Sequence, residues 1–305
     1  MQKYILFRMG DSFMILHVKN VNKSFGKEKV LDNLSFSIEE NQIIALVGPN
    51  GSGKTTLLNI ITGLEEADDG EIKILNMSNK NPDVFKEIAY MQDNSVLYDY
   101  LTGYDHLQFI GDVQSLTKDQ IISTAERVGI KSYLNKKVGK YSLGMKQHLL
   151  LTMALLNQPK LLILDEPLNG LDPTSVIRVR QILQDIHKEG TAILLSSHNL
   201  SEIDRVTSNI LFLKNGNLIK EDISKHLNTF YKINVSNTEK AVEILNKIGV
   251  EINNVDEDQL YISTNEHSIQ DVVLELAENE VQVTDINKEI LGSEERYQKI
   301  FEEGI

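Results

Sequence analysis

Cysteine and tryptophan are both absent from the 305 residues. Without cysteine there is no disulfide framework, no thiolate ligand for zinc, and no cysteine nucleophile. Missing too is any apolar stretch of the roughly 18–20 residues that a bilayer span needs. The longest candidate, Leu149 to Leu156, stops at Asn157-Gln158-Pro159-Lys160. The opening MQKYILFRMGDSF does not read as a secretory leader, because Arg8 and Asp11 interrupt its apolar run and no small-residue cleavage site follows. A second start at Met14 would open on the strand-like ILHVKNV, so residues 1–13 are expected to be a start-codon artefact or a disordered tail. Positive charge is in deficit, 31 Lys plus Arg against 44 Asp plus Glu, for a net charge of −13. An acidic surface repels polyanions, so nucleic acid is not an expected partner. A cytoplasmic protein of about two domains is the expectation, at roughly 150 residues per domain.

What is present reads as α/β. Ile43 to Val47, Leu161 to Leu164 and Ala192 to Leu195 are short, uniformly apolar runs, as in strands buried on both faces. Buried strands alternating with helical stretches predict a parallel sheet covered by helices. Residues 15–80 add short alternating strands, which predict a small antiparallel β subdomain. Residues 93–157 look mostly helical and sit between two core strands, so they are expected to form an inserted helical subdomain. There Thr117 with Gln120 resembles a capping box and Gly129 a stop. After residue 225 the pattern becomes strand, helix, strand, strand, helix, strand. Tyr231, Ile233 and Val235 alternate; Ala241, Ile244, Leu245 and Ile248 follow helical spacing. That is the order of a ferredoxin-like α+β module. The expected domains are therefore 14–225 and 226–305.

Gly48-Pro49-Asn50-Gly51-Ser52-Gly53-Lys54-Thr55 fits G-x-x-x-x-G-K-[ST], after a buried strand and before a helical run starting at Thr56. Glycines let backbone N–H groups turn inward around phosphate oxygens, and the helix N-terminus adds positive potential. Lys54 should reach the β- and γ-phosphates of a nucleotide, and the Thr55 hydroxyl should ligate Mg²⁺. This is the loop of a P-loop NTPase core. The strand Leu161 to Leu164 ends in Asp165 and Glu166. An acid at the end of a parallel strand beside the phosphate loop holds Mg²⁺, which suits Asp165, and Glu166 then polarises an attacking water.

Three blocks together carry a family resemblance: Asn50 to Thr56, Tyr141-Ser142-Leu143-Gly144-Met145-Lys146-Gln147, and Leu164-Asp165-Glu166-Pro167. Asn169-Gly170-Leu171-Asp172-Pro173 and Ser196-Ser197-His198 follow in order. The chain resembles the nucleotide-binding subunit of an ATP-binding cassette transporter over about residues 14–225. The resemblance implies ATP and Mg²⁺ as cofactors and assigns further roles. Phe25 matches the aromatic that stacks on adenine; otherwise it is a core strand residue. Gln92 matches the glutamine that touches Mg²⁺ and senses the membrane partner. Ser142 and Gly144 match the signature that caps the γ-phosphate of the other subunit, although Ser142 also suits a helix N-cap. Asp172 matches the loop that crosses a dimer interface, and His198 the histidine that contacts the γ-phosphate and positions water. The other six histidines show no metal-ligand spacing. Two positions depart from the common pattern: Ser-Leu-Gly-Met replaces Ser-Gly-Gly-Gln, and His148 stands where Arg is usual.

The resemblance implies a homodimer with two ATP molecules between its halves, a separate transmembrane permease, and a place on the inner face of the membrane. The signature and the short C-terminal module look like those of bacitracin- or lantibiotic-type exporters, with a general drug, lipid or ion exporter as the alternative. A second class is a non-transport ATPase of the same superfamily acting on ribosomes or DNA. Those proteins usually carry two cassettes or a long coiled-coil insertion, whereas only 111 positions separate Lys54 from Asp165 here.

Overall fold

The residues Ile43–Val47 are all apolar and all buried, a pattern that suits a strand covered on both faces. The computed structural model, which describes residues 8–9, 12–226, 229–256, 258–263, 268–290 and 293–302, places this strand inside a six-stranded sheet. The order is Asn217–Asp222, Asn209–Lys214, Ile43–Val47, Ala192–Ser197, Leu161–Leu164 and Ile88–Met91. The last five strands pair in parallel. Asn217–Asp222 returns beside Asn209–Lys214 through Asn215 and Gly216, both at positive φ (49° and 77°), which suits a tight hairpin turn. Register sets Val47 opposite Ser197, and Leu164 opposite both Met91 and Leu195. Gly48, Gln92, Asp165 and His198 therefore leave the sheet at one edge.

A second, antiparallel sheet is built on Ser12–Phe25, which pairs with Glu28–Glu39 and Asp69–Ile74. Its first strand opens at Ser12, ahead of the expected Met14, and Arg8–Met9 pairs with Ser12 and Phe13. The remainder of the proposed tail, residues 1–7, 10 and 11, lies outside the described residues. The helix Lys54–Ile61 is held between the two sheets. Its Leu57, Leu58, Ile60 and Ile61 share one buried cluster with Leu16, Val18 and Leu34 of the antiparallel sheet and Leu46, Ile163 and Leu194 of the parallel one. Each such side chain contributes about 1.5–3 kcal/mol. The phosphate loop thus stands on a helix that cannot shift without disturbing both sheets.

Between Ile88–Met91 and Leu161–Leu164 run the helices Gly103–Gln114, Lys118–Val128 and Leu143–Leu155. Thr117 and Gln120 form a reciprocal capping box, and Gly129 closes that helix in the left-handed conformation (φ 84°). The helix Pro173–Lys188 secures this insertion at three places. Ser175 approaches Gly144, where a Cβ would lie 3.0 Å from Ser175 Oγ. Arg178 Nε donates to Val128 O (2.8 Å), capping the end of Lys118–Val128. Just beyond the helix, Glu189 makes a two-pronged pair with Arg127 (2.8 and 2.9 Å).

Chain contacts divide the molecule between Glu221 and Asp222. The second unit is a four-stranded antiparallel sheet in the order Glu251–Asp256, Gln259–Ser263, Thr229–Val235 and Val283–Ile290. The helices Thr238–Lys247 and Ile269–Glu278 cover one face, where Ile233, Leu260 and Ile262 meet Ala241, Leu245, Val272 and Leu276. Connection order and strand order are those of a ferredoxin-like fold. A further helix, Ser293–Phe301, follows. Among the described residues no helix is long and apolar enough to cross a membrane.

Gly129→Ala would put a methyl group 1.7 Å from Arg178 Nη2 at a left-handed residue. The strain and the displaced guanidinium are expected to cost about 1–2 kcal/mol. Chemical denaturation checks this, and Arg178→Met should account for part of the same loss.

Candidate functional site

The strand Ile43–Val47 runs directly into Gly48–Gly53, and the chain turns into helix Lys54–Ile61 without a side-chain cap or an acid in its first turn. The first N–H groups of that helix are therefore free to meet an anion. Gly53 holds the turn at φ 100°, where a Cβ would come 2.7 Å from Val30 Cγ1, so no other residue fits without displacement. Pro49, Asn50 and Gly51 stand exposed on the outer rim, while Ser52, Gly53 and Thr56 are half-buried.

Lys54 is buried, and its ammonium donates to Gly48 O (2.7 Å) and Pro49 O (3.2 Å). It lies 3.8 Å from Glu166 Oε1. Burial pulls the Lys54 pKa below that of a free lysine, opposed first by Glu166 and then by Asp165. Thr55 Oγ1 donates to Asp165 Oδ2 (2.8 Å). On the next strand, Ser196 Oγ donates to Asp165 Oδ1 (2.5 Å) and accepts the Glu166 backbone N–H (2.9 Å). Glu166 itself sits at φ 49°, a left-handed conformation that a non-glycine residue adopts at a cost and that clusters at functional sites. Its Oε2 meets His198 Nδ1 at 2.9 Å. Lys54, Thr55, Asp165, Glu166 and His198 thus form one connected group.

This group fits a magnesium nucleotide. Ser52 Oγ is buried inside the loop with no hydrogen-bond partner, a donor with nothing yet to bind. Thr55 and Asp165 offer hard oxygen ligands, and no set of three or more His, Asp or Glu side chains poised for a metal exists among the described residues. Two protein oxygens completed by substrate phosphate and water is the usual environment of Mg²⁺.

The other candidates stand elsewhere. Gln92 is half-buried after Met91 and lines a groove of about 270 Å³ with Tyr90, Val96, Ile110 and Gln114. No described hydrogen bond joins it to Thr55 or Asp165. Phe25 is 51% exposed at the Gly26 turn rather than part of the core. Ser142 caps the helix Leu143–Leu155 by accepting the Met145 N–H (3.2 Å). Asp172 caps Pro173–Lys188, accepting Thr174 N–H, Ser175 N–H and Ser175 Oγ–H. The Ser175 bonds hold its carboxyl below the usual carboxylate range. Gly144 packs close to Asp172 and Ser175. Ser142, Gly144 and Asp172 thus make a second group, and no hydrogen bond or ion pair among the described residues links it to the phosphate loop. Sequence reasoning assigned no role to Ser196. Its position two residues before His198, on the strand next to Asp165, was the available signal.

Residues 31–169 match the profile of the ABC transporter family. Lantibiotic transport ATP-binding protein SrtF of Streptococcus pyogenes is 36% identical over 68% of this chain and 90% of its own length. The chain belongs to the ABC transporter family. Bacitracin transport ATP-binding protein BcrA of Enterococcus faecalis is 29% identical over 94% of this chain and 96% of its own. A solved structure of the ATP-binding subunit of an ABC transporter superposes with a TM-score of 0.64 at 24% identity, covering 86% of this chain and 99% of that one, and shows the shared fold.

In this ABC transporter chain His148 lies half-buried within reach of Asp172, Ser175 and Arg178. Burial, then the charge of Arg178, pushes its pKa below 6.5, opposed by Asp172. Its Nε2 is buried without a partner. Since the unfolded chain binds this proton more readily than the folded one, His148 removes stability as pH falls through about 6.5 and stops doing so once the folded ring also protonates. Thermal melts at pH 7.5 and 5.5 should show a smaller acid-induced drop for His148→Met than for the parent. Equal drops would place the sensitivity elsewhere.

Proposed function

We propose that this chain binds and hydrolyses ATP as the motor subunit of an exporter, working as a homodimer on a separate membrane permease at its cytoplasmic face. The convergence of Lys54, Thr55, Asp165, Glu166 and His198 at one sheet edge carries the reading. The roles follow from position. The loop Gly48–Thr56 cradles the triphosphate, with Lys54 turning from its own carbonyls to the β- and γ-phosphates and Ser52 finding the acceptor it lacks. Thr55, Asp165 and Gln92 would hold Mg²⁺. That ion would neutralise charge building on the phosphate oxygens. Glu166 takes a proton from the water that attacks the γ-phosphorus, while the bond to the β–γ bridging oxygen breaks. His198, fixed by Glu166, is aimed at the same phosphoryl group. Phe25 offers a flat apolar face to the adenine.

The separation of the second group from the first supports dimerisation. Ser142 and Gly144 stand at a helix N-terminus, a ready anion site, yet they belong to no nucleotide pocket of their own chain. A two-fold axis places them over the γ-phosphate held by a second copy, with Asp172 at the crossing, and makes the interface self-complementary. ATP then closes the dimer and phosphate release opens it.

For the permease, the surface around Gln92 has the right character. Tyr98, Tyr100, Phe109 and Val113 are large apolar side chains left 58–71% exposed. Phe109 and Val113 lie one turn apart on Gly103–Gln114. Buried His106 fixes this region, donating from Nδ1 to Thr102 O (2.8 Å) and accepting Tyr98 N–H at Nε2 (3.0 Å). A peptide antibiotic of the bacitracin or lantibiotic type is the proposed cargo, supported by relatives that carry those names. No comparable observation favours ribosomes or DNA.

Lys54→Ala should abolish turnover. Glu166→Gln should lower it by about 10²–10⁴-fold, as loss of a general base does, and accumulate an ATP-bound dimer on size exclusion. A Glu166→Gln protein that stays monomeric in saturating ATP, even with its permease, would sink the sandwich. Phe109→Glu is expected to cut the ratio of permease-stimulated to basal turnover by about tenfold, equivalent to roughly 1.4 kcal/mol of coupling. For cargo, a deletion strain should become sensitive to bacitracin or lantibiotics. Sensitivity confined to unrelated drugs would favour a general exporter.

A further inference from the structure

Lys23 is only 13% exposed, yet it lies two residues from the exposed ring of Phe25. Its ammonium stands 5.1 Å over the Phe25 centroid, within the range of a cation–π contact. The same ammonium is 3.1 Å from Glu65 Oε1 and 4.0 Å from Asp68 Oδ1, and it donates to Glu66 O (2.7 Å). Ser24 N–H donates to Asp68 Oδ2 (2.7 Å). Two consecutive residues ahead of Phe25 are therefore tied to the turn Glu65–Asp68. That turn is itself an extension of the helix Lys54–Ile61, since Leu64 N–H and Glu65 N–H both donate to Asn59 O (2.9 and 3.2 Å). The helix begins in the phosphate loop, so the aromatic ring and the loop are referred to opposite ends of one rigid element.

We propose that Lys23 is a positioning residue of the nucleobase subsite, acting through Phe25 and resting on the reading of Phe25 as the adenine platform. It covers one face of the ring and leaves the other for the base. The positive charge draws the ring's π electrons toward the covered face. That lowers the repulsion between the two π clouds when an aromatic base stacks on the free face. The carboxylates of Glu65 and Asp68 hold the ammonium in place without hydrogen-bonding the ring. Lys23 thus adds affinity to the base and none to the phosphates.

The test uses the full chain without divalent cation, so that nothing is hydrolysed, and titrates it with ATP and with inorganic tripolyphosphate, which has no base. Lys23→Met should raise the Kd for ATP by about threefold, since only the change that Lys23 makes to base stacking enters the Kd, and leave that for tripolyphosphate unchanged. Lys23→Arg keeps the cation and should stay within about twofold of the parent. Equal weakening of both ligands, unchanged ATP binding in Lys23→Met, or an arginine variant as weak as the methionine one would each overturn the proposal. Phe25→Ala separates this from the underlying reading. If it leaves ATP affinity intact, the platform itself is misassigned. If it weakens ATP while Lys23→Met does not, only the role of Lys23 fails.

Discussion

A single buried hydroxyl keeps the two acids of this site apart and in place. Ser196 Oγ–H donates a hydrogen bond to Asp165, and the same oxygen accepts the backbone N–H of Glu166. It is wholly buried on the strand Ala192–Ser197, so neither bond competes with water. Asp165 is thereby turned toward Thr55 on the phosphate helix, and Glu166, in its left-handed conformation, toward Lys54 and His198. Remove that hydroxyl and Asp165 loses a charge-assisted partner while the strained Glu166 loses the acceptor of its backbone N–H. The parallel sheet makes this possible. Strand register alone brings residues 165, 166, 196 and 198 to one edge, from segments thirty positions apart in the chain.

Much of this was readable before any coordinates. The phosphate loop, the apolar strands and the acids that end Leu161–Leu164 are local signals, each complete within about ten residues. Helix stops such as Gly129 and the Thr117–Gln120 box are local too, and the alternation after residue 225 carried the ferredoxin-like order. What could not be read depends on distance in the chain. Lys23 is an ordinary strand lysine until Glu65 and Asp68 fold over it. Arg178 is an ordinary helix arginine until Val128 presents a carbonyl. Serine is common in strands, so Ser196 gains its meaning only from the neighbouring strand that brings Asp165. Phe25 has two meanings in a strand pattern, core or platform, and its exposure removes the first.

The helical insertion and the nucleotide-facing core meet along Pro173–Lys188. Ser175, Arg178 and Glu189, the last just beyond the helix end, touch two parts of the insertion: Gly144, and the end of Lys118–Val128 through Val128 O and Arg127. At about 1.5 Å rise per residue the mount is some 20 Å long. Asp172 caps one end of it. Gly144 packs directly against Asp172 and Ser175, so a displacement of that cap reaches the helix Leu143–Leu155 at this contact. Leu149, Leu150, Leu151, Ala154 and Leu155 of that helix are buried, while its first turns carry Lys146, Gln147 and His148.

The C-terminal sheet ends in two strands that each have a single neighbour, Glu251–Asp256 and Val283–Ile290. The first carries acids at both ends and breaks register between Ile252 and Asn254. The second carries Asp285 and Lys288 in exposed positions, and the strand it pairs with breaks register at Asn234. Charge and irregularity at both rims discourage another chain from adding a strand. A module built this way resists uncontrolled sheet extension in a crowded cell. Contact through its helices can be made and released without rewriting the backbone hydrogen bonds.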